Sequence, residues 1–204
     1  MVCTRPDLCF VVTKLSQHLS KPMKSHFNIA KQTLRYLKGT QYRALKFVKT
    51  DNLDLVGYSD SDWGIAQDRR SISGYGFKLN HQSSLISWKS KKQPVVALST
   101  CEAEYIALCL ASQEALFLKQ LFSDMMCFQT KSVKVYVDNQ SAICLAKNNV
   151  SNQRSKHIDI KFHFVRSEVE IGNIVVEYIP TEINTADVFT KPFSRNRIDK
   201  LLLC

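Results

Sequence analysis

The chain has 204 residues, of which 45% are hydrophobic and 23% charged, enough for one well-buried domain plus an appendage. No apolar run approaches the roughly 20 residues of a membrane-spanning helix, and the N-terminus MVCTRPDLCF lacks the basic-then-apolar layout of a secretory signal; no membrane partner is expected, and a cytoplasmic or nuclear location is. Seven cysteines, an odd number with no CxxC pair, read as reduced packing residues and exclude a zinc ribbon or a disulfide framework.

The net charge of +10 is unevenly spread: residues 1–50 carry ten Lys/Arg against the single Asp7, whereas 51–204 carry 18 basic and 17 acidic side chains. A basic arm joined to a nearly neutral domain suits a polyanion, nucleic acid first, although a merely solvated basic face satisfies the charge alone. In the arm, Leu8, Val11, Val12, Leu15 and Leu19 keep a helical period that Pro22 ends. A second amphipathic stretch runs from His26 to Leu37 and closes at Gly39, a C-cap residue. These helices hold too few apolar residues for a core of their own, so they are expected to pack on the following domain or on an absent part.

From residue 43 the period becomes that of strands. ALKFV and LDLVGYSDSDW come first, then the charged turn AQDRRSIS; SGYGFKLN and SSLISWKS follow as antiparallel candidates joined by NHQ. A helix is predicted over about 100–122, then the strand VKVYVD, helices over 140–147 and 156–170, the strand NIVVEYIP, and a last helix beginning near Thr185. Consecutive strands followed by strands alternating with helices indicate an α/β fold with a mixed sheet flanked by helices.

Four acidic residues stand at the edges of apolar segments: Asp60, Glu104, Asp138 and Asp187. Hard divalent cations such as Mg²⁺ are held by a few carboxylates together with substrate phosphates, and paired ions about 4 Å apart serve phosphodiester chemistry. GYSDSDW offers Asp60 and Asp62, one or both as ligands, against a reading as solvent-facing acids at a strand end. In STCEAEY, Ser99 and Glu102 match a capping box in which Glu102 reaches back to the Ser99 N–H, while Glu104 lies one turn inside with Ala107 and Ala111 on its face. Glu104 is therefore the ligand candidate and Glu102 the cap. Asp138 ends the β-branched run VKVYV, where a helix N-cap and a ligand at a strand's C-terminal end are evenly matched readings. Asp187 also suits a first-turn helix dipole, and Lys191, a turn later, is placed to orient or screen it. His157 and His163 are spaced poorly for one helical face, and packing explains them, as it does Phe162 and Phe164.

The stretches GYSDSDWG, DRRSISGYGF, ISWKSKKQPVVALSTCEAEYIAL, VYVDNQSAICLAKN, RSKHIDIKFHFVR and YIPTEINTADVFTKPF closely resemble, in family order, the ribonuclease H region of copia-type LTR retrotransposon Pol polyproteins. TRPDLCFVVTKLSQ and HFNIAKQTLRYLKGT resemble the end of the reverse transcriptase segment in those polyproteins. The resemblance implies a ribonuclease H-like five-stranded mixed sheet over 51–193, preceded by a basic helical remnant over 1–50 and followed by a tail over 194–204. It implies that Asp60, Glu104, Asp138 and Asp187 are the catalytic, metal-binding acids, holding two Mg²⁺ ions with Mn²⁺ as a substitute. Many members place a His in the loop before the last Asp; here that loop reads PTEIN, with Glu182 its only titratable side chain.

The implied activity is endonucleolytic cleavage of the RNA strand of an RNA–DNA hybrid, inside a polyprotein whose upstream reverse transcriptase is the protein partner and whose compartment is a cytoplasmic virus-like particle or the nucleus. Arg69, Arg70, Lys89, Lys91, Lys92, Arg154 and Lys156 are candidates for tracking the nucleic-acid backbone, and Trp88 for stacking on a sugar or base. Two rival readings are a catalytically silent nucleic-acid-binding remnant and an integrase or transposase of the same fold class; the Asp-Glu-Asp-Asp order with a helical Glu disfavours the latter.

Overall fold

The computed structural model describes residues 1–49, 54–64, 68–125, 131–148 and 156–202, without the side chains of 156–159. Its centre is strand β1 (Val56–Ser61), antiparallel to β2 (Ile72–Lys78) and parallel to β4 (Val133–Val137). β2 pairs antiparallel with β3 (Leu85–Lys92), and β4 parallel with β5 (Ile174–Tyr178), giving a five-stranded mixed sheet in the order β3-β2-β1-β4-β5. This is the flanked mixed sheet that the strand-then-alternation pattern predicts.

Helix α3 (Thr100–Asp124) covers one face. Ala103, Ala107, Ala111 and Ala115 recur every four residues and are all buried, so a smooth stripe lets the helix axis approach β1 and β2. Around it Phe77, Tyr105, Leu108, Val135 and Val176 form the main core, joined by α4 (Gln140–Lys147) and α5 (Lys156–Glu170). Phe162 and Phe164 belong to this core, while His163 is exposed; His157 lies among the side chains outside the description.

The opposite face is covered by smaller pieces. Val56, Tyr58 and Leu85 meet Phe189, Leu201 and Leu202. Here the sequence expectation of a helix from Thr185 needs correction. Thr185–Phe189 is a 3₁₀ turn, capped by the Asn184 side chain, and the helix proper, α6, runs Arg195–Leu202. Pro192 explains the break, because it offers no N–H to continue the ladder. The turn can sit against β2 because residue 74 is glycine: a Cβ there would lie 2.7 Å from the Phe189 Cβ and 2.8 Å from the Thr190 methyl.

ALKFV is also not a strand. The Lys46 and Val48 N–H groups donate to the hydroxyls of Ser84 (2.8 Å) and Ser83 (3.4 Å), and the Ser84 N–H donates to the Lys46 carbonyl (2.9 Å). Side-chain oxygens have taken the donors that a ladder would use.

The basic arm packs on the domain through its first helix. In α1 (Cys9–Ser16), Cys9 enters the second core, and the Thr13 hydroxyl donates to the Ser90 carbonyl of β3 (3.2 Å). The following α2 (Lys24–Gly39) buries no residue at all and leaves Phe27, Ile29 and Leu34 exposed. What holds α2 is polar. Asp7, the arm's lone acid, accepts from Arg5 (3.0 and 2.7 Å), from the Tyr36 hydroxyl of α2 (2.7 Å) and from Arg43 (3.3 Å), and Arg43 also pairs with Asp199 of α6.

Candidate metal centre

Each of the four acids reaches the centre by a different local device. Asp60 comes from inside β1, opposite Gly74 of β2, with its side chain 1% exposed. Glu104 comes from the second turn of α3, brought in by the alanine stripe. Asp138 follows β4. The competition over the cap there resolves simply: Asn139 caps α4, its side chain accepting the Ala142 N–H at 3.0 Å, which leaves the Asp138 carboxylate for other partners. Asp187 sits in the 3₁₀ turn, its N–H bonded to the Asn184 carbonyl (3.3 Å). Asn184 is itself buried and donates to the Ser59 carbonyl of β1 (3.0 Å), tying the turn to the strand that carries Asp60.

Among the described residues, Asp60, Glu104 and Asp138 each bring a carboxylate oxygen within 4.8 Å of the others. Asp187 stands outside that triad. The Lys191 ammonium joins it to the others, at 2.7 Å from the Asp187 Oδ1 and 3.2 Å from the Asp60 Oδ1. The Thr190 hydroxyl donates to the second oxygen of Asp60, the Ser61 N–H to Glu104 Oε1 (3.3 Å), and the Thr181 hydroxyl to Asp138 Oδ2 (2.8 Å). Glu104 Oε2 is buried with no hydrogen-bond partner among the described residues. A buried carboxylate oxygen without a donor is costly, and a hard cation is the partner that such a donor set suits.

Burial dominates the proton affinities. It pushes the Asp60 carboxyl up to about 6, against the pull of Lys191 and with Asp187 adding to the rise. Glu104 is held well above the usual carboxylate range by burial first, then by the charges of Asp60 and Asp138. Asp138 is raised by burial and by Asp60. Burial alone would lower Lys191, but Asp60 and Asp187 outweigh it and hold the ammonium above the ordinary lysine value. Among the described residues one ammonium, that of Lys191, stands among the four carboxylates, so ionising all of them is costly without a further cation.

Asp62 does not join the centre. Its carboxylate accepts the Ile72 N–H at the start of β2, a structural task. Glu102 caps α3 as the sequence suggests, with one change: its carboxylate accepts the Leu98 N–H (2.7 Å) instead of that of Ser99, while the Ser99 hydroxyl accepts the Glu102 N–H (3.2 Å).

Gln93 escaped the sequence reading. Fully buried at the end of β3, its amide donates to the Ser61 hydroxyl (3.3 Å), the Ser73 hydroxyl (2.9 Å) and the Ala103 carbonyl (2.9 Å). It thus ties together the ends of β1 and β2 and the first turn of α3, next to Asp60 and Glu104. The available signal was a Gln before Pro94, between a strand and a helix cap.

Of the candidates for nucleic-acid contact, Arg69, Arg70, Lys89 and Lys91 are exposed, and Lys92 is half-buried and paired with Asp68 (2.7 Å). Lys89 and Lys91 alternate with Trp88, which packs against the second core and donates its indole N–H to the Met1 carbonyl (3.0 Å). Arg154 and the side chain of Lys156 lie outside the described residues.

The chain is 42% identical over 200 residues to the retrovirus-related Pol polyprotein from transposon TNT 1-94 of Nicotiana tabacum, covering 98% of this chain and 15% of that polyprotein. It is 39% identical over 193 residues to the Pol polyprotein from transposon RE2 of Arabidopsis thaliana, covering 94% of this chain and 13% of the relative. The chain thus spans a small fraction of the polyproteins it matches. It is also 52% identical over 119 residues to the secreted RxLR effector protein 161 of Plasmopara viticola, over 58% of this chain and 82% of that protein. No protein-family model matches the chain. In fold it is similar to RNase H1 from the archaeon Halobacterium salinarum, with a TM-score of 0.50 at 13% identity, over 67% of this chain and 94% of that one.

Proposed function

Because the chain belongs to the copia-type retrotransposon Pol polyproteins, over a stretch that has the ribonuclease H fold, we propose that it is a metal-dependent endonuclease that cuts the RNA strand of RNA–DNA hybrids. The observation that carries this reading is the triad of Asp60, Glu104 and Asp138 with ligand atoms within 4.8 Å, one of them the unpartnered, buried Glu104 Oε2. Asp60, Glu104, Asp138 and Asp187 would hold the ions, Mg²⁺ first and Mn²⁺ in its place. Such a pair supplies Lewis acidity for in-line hydrolysis of a phosphodiester.

The protein's own part is positional. Asp60 would be one of the ligands, and its carboxylate is fixed by the Thr190 hydroxyl on one oxygen and Lys191 on the other. Asn184 and Gln93 fix the backbones that carry Asp187, Asp60 and Glu104. Arg69, Arg70, Lys89 and Lys91 offer exposed cations for the phosphate backbone, with Lys92 beside them. Choice of the RNA strand would rest on its 2′-hydroxyls, displayed across the wide minor groove of an A-like hybrid. Residues 1–50 then belong to the end of the preceding reverse transcriptase segment, and 51–193 to the nuclease domain.

The test is cleavage of a labelled RNA–DNA hybrid in Mg²⁺, with a DNA duplex as control. Asp60→Asn and Glu104→Gln are each expected to abolish cutting while leaving hybrid binding in place. A wild-type chain that binds the hybrid and never cuts it identifies instead a silent nucleic-acid-binding module. Undiminished turnover in either variant removes that acid from the mechanism.

A further inference from the structure

The four acids are not equally free to take a cation. On one side Glu104 Oε2 is buried and has no partner among the described residues, and the Asp138 Oδ2 accepts from a neutral hydroxyl, that of Thr181. On the other side Lys191 spans Asp60 Oδ1 and Asp187 Oδ1 at 3.2 and 2.7 Å, and the two carboxylates it bridges are 1% and 2% exposed. The ammonium thus stands where a cation shared by Asp60 and Asp187 would have to be.

We propose that Lys191 is a built-in counter-cation that competes for the Asp60–Asp187 side of the centre, so that one divalent ion binds readily through Asp60, Glu104 and Asp138 while a second must displace the ammonium. This rests on the metal-centre reading above and adds an order of filling to it. The local backbone suits a tethered, releasable charge. The Lys191 N–H is fixed to the Asp187 carbonyl (3.0 Å) and Pro192 follows, so the main chain is held while the four-carbon stem remains free to swing. The side chain is 32% exposed and so already reaches solvent. A lysine suits this task better than an arginine, because a compact ammonium makes no forked, bidentate bond that would have to be broken.

A purely structural neutraliser makes a different forecast. Removing it would cost stability and leave the second ion's affinity where it was. The deciding experiment is calorimetric titration of the full chain with Mn²⁺, with no nucleic acid present. The wild type is expected to take a first ion and, more weakly, a second. Lys191→Met should tighten the second site by about tenfold or more, in line with ordinary coupling between neighbouring sites, while Lys191→Arg, whose fork is harder to displace, should bind the second ion more weakly than the wild type. Unchanged second-site affinity in Lys191→Met overturns the proposal and leaves the metal centre standing. Absence of Mn²⁺ binding in all three proteins, each melting cooperatively, overturns the metal centre and this proposal together.

Should Lys191→Met fail to fold, the wild type decides by NMR. The Lys191 ammonium resonance should hold through the first equivalent of Mg²⁺ and move with the second. A resonance unmoved to saturation overturns the proposal.

Discussion

Asp7 and Asp60 are both aspartates with a side chain only 1% exposed, and the protein treats them in opposite ways. Around Asp7 two guanidiniums and a phenol donate, and although burial pushes its carboxyl up, Arg5, Tyr36 and Arg43 more than offset it and hold it below the usual range. Around Asp60 a single ammonium is shared with Asp187, Glu104 and Asp138 crowd in, and burial prevails, raising Asp60 to about 6. One acid is saturated by the protein's own cations and fastens the arm. The other belongs to a set left short of positive charge, which is what a site for an external cation requires. Burial alone does not separate structure from function; the balance of charge around the buried group does.

The comparison breaks most readily on stability. Asp7→Ala leaves Arg5 and Arg43 facing each other without their acid, and removing one member of a buried pair typically costs about 3–5 kcal/mol. Urea denaturation of the metal-free chain should show that loss. Asp60→Asn should show none, or a gain, since it removes a charge that Glu104 and Asp138 repel. Equal destabilisation by the two substitutions would mean that the two acids do the same work.

A smaller effect separates them by pH. For Asp7 the folded carboxyl lies below its unfolded value, so its contribution is complete above about pH 4 and is lost as pH falls through the folded value. For Asp60 and Glu104 the folded values lie above the unfolded ones, so the folded state binds more protons than the unfolded, and stability declines as pH rises from about 4. For Asp60 that decline is complete just beyond pH 6. Metal-free melting temperatures should therefore fall over this interval, and Asp60→Asn should flatten the fall while Asp7→Asn leaves it in place. A slope unchanged in Asp60→Asn would assign the proton uptake to other groups.

Local patterns carried much of this into the sequence. The strand period, the alanines of α3 and the capping signature at Ser99 are set by neighbours within a few residues, and they sufficed for the mixed sheet and for distinguishing Glu104 from Glu102. What failed depended on distant partners. ALKFV has the composition of a strand, but the hydroxyls of Ser83 and Ser84 intercept its N–H groups. The Asp7 junction gathers residues from α2, the segment after it and α6, and Lys191 meets Asp60 across 131 positions of sequence. No periodicity announces such pairs. The last helix was expected to begin near Thr185; Pro192 breaks it, and the approach of Gly74 to Phe189, which no local pattern announces, gives the tight turn its place.

The smallest prediction sets the two neighbouring glutamates of α3 against each other. Glu102 and Glu104 are both buried and lie two residues apart, so composition and exposure rank them alike. Their partners differ. Each has one buried oxygen with no donor among the described residues; Glu102 gives its other oxygen to the Leu98 N–H, a bond that a glutamine oxygen can also accept, whereas Glu104 faces two other carboxylates. Glu102→Gln should therefore melt like the wild type and Glu102→Ala should lose about 1 kcal/mol, the usual worth of a helix cap, with Mn²⁺ affinity kept in both. Glu104→Gln should reverse the pattern, keeping or gaining stability without metal and losing the stabilisation that Mn²⁺ gives the wild type. If Glu102→Gln also lost its Mn²⁺ response, the helix would be presenting both acids to the ion, and the division between cap and ligand would fail at its closest pair.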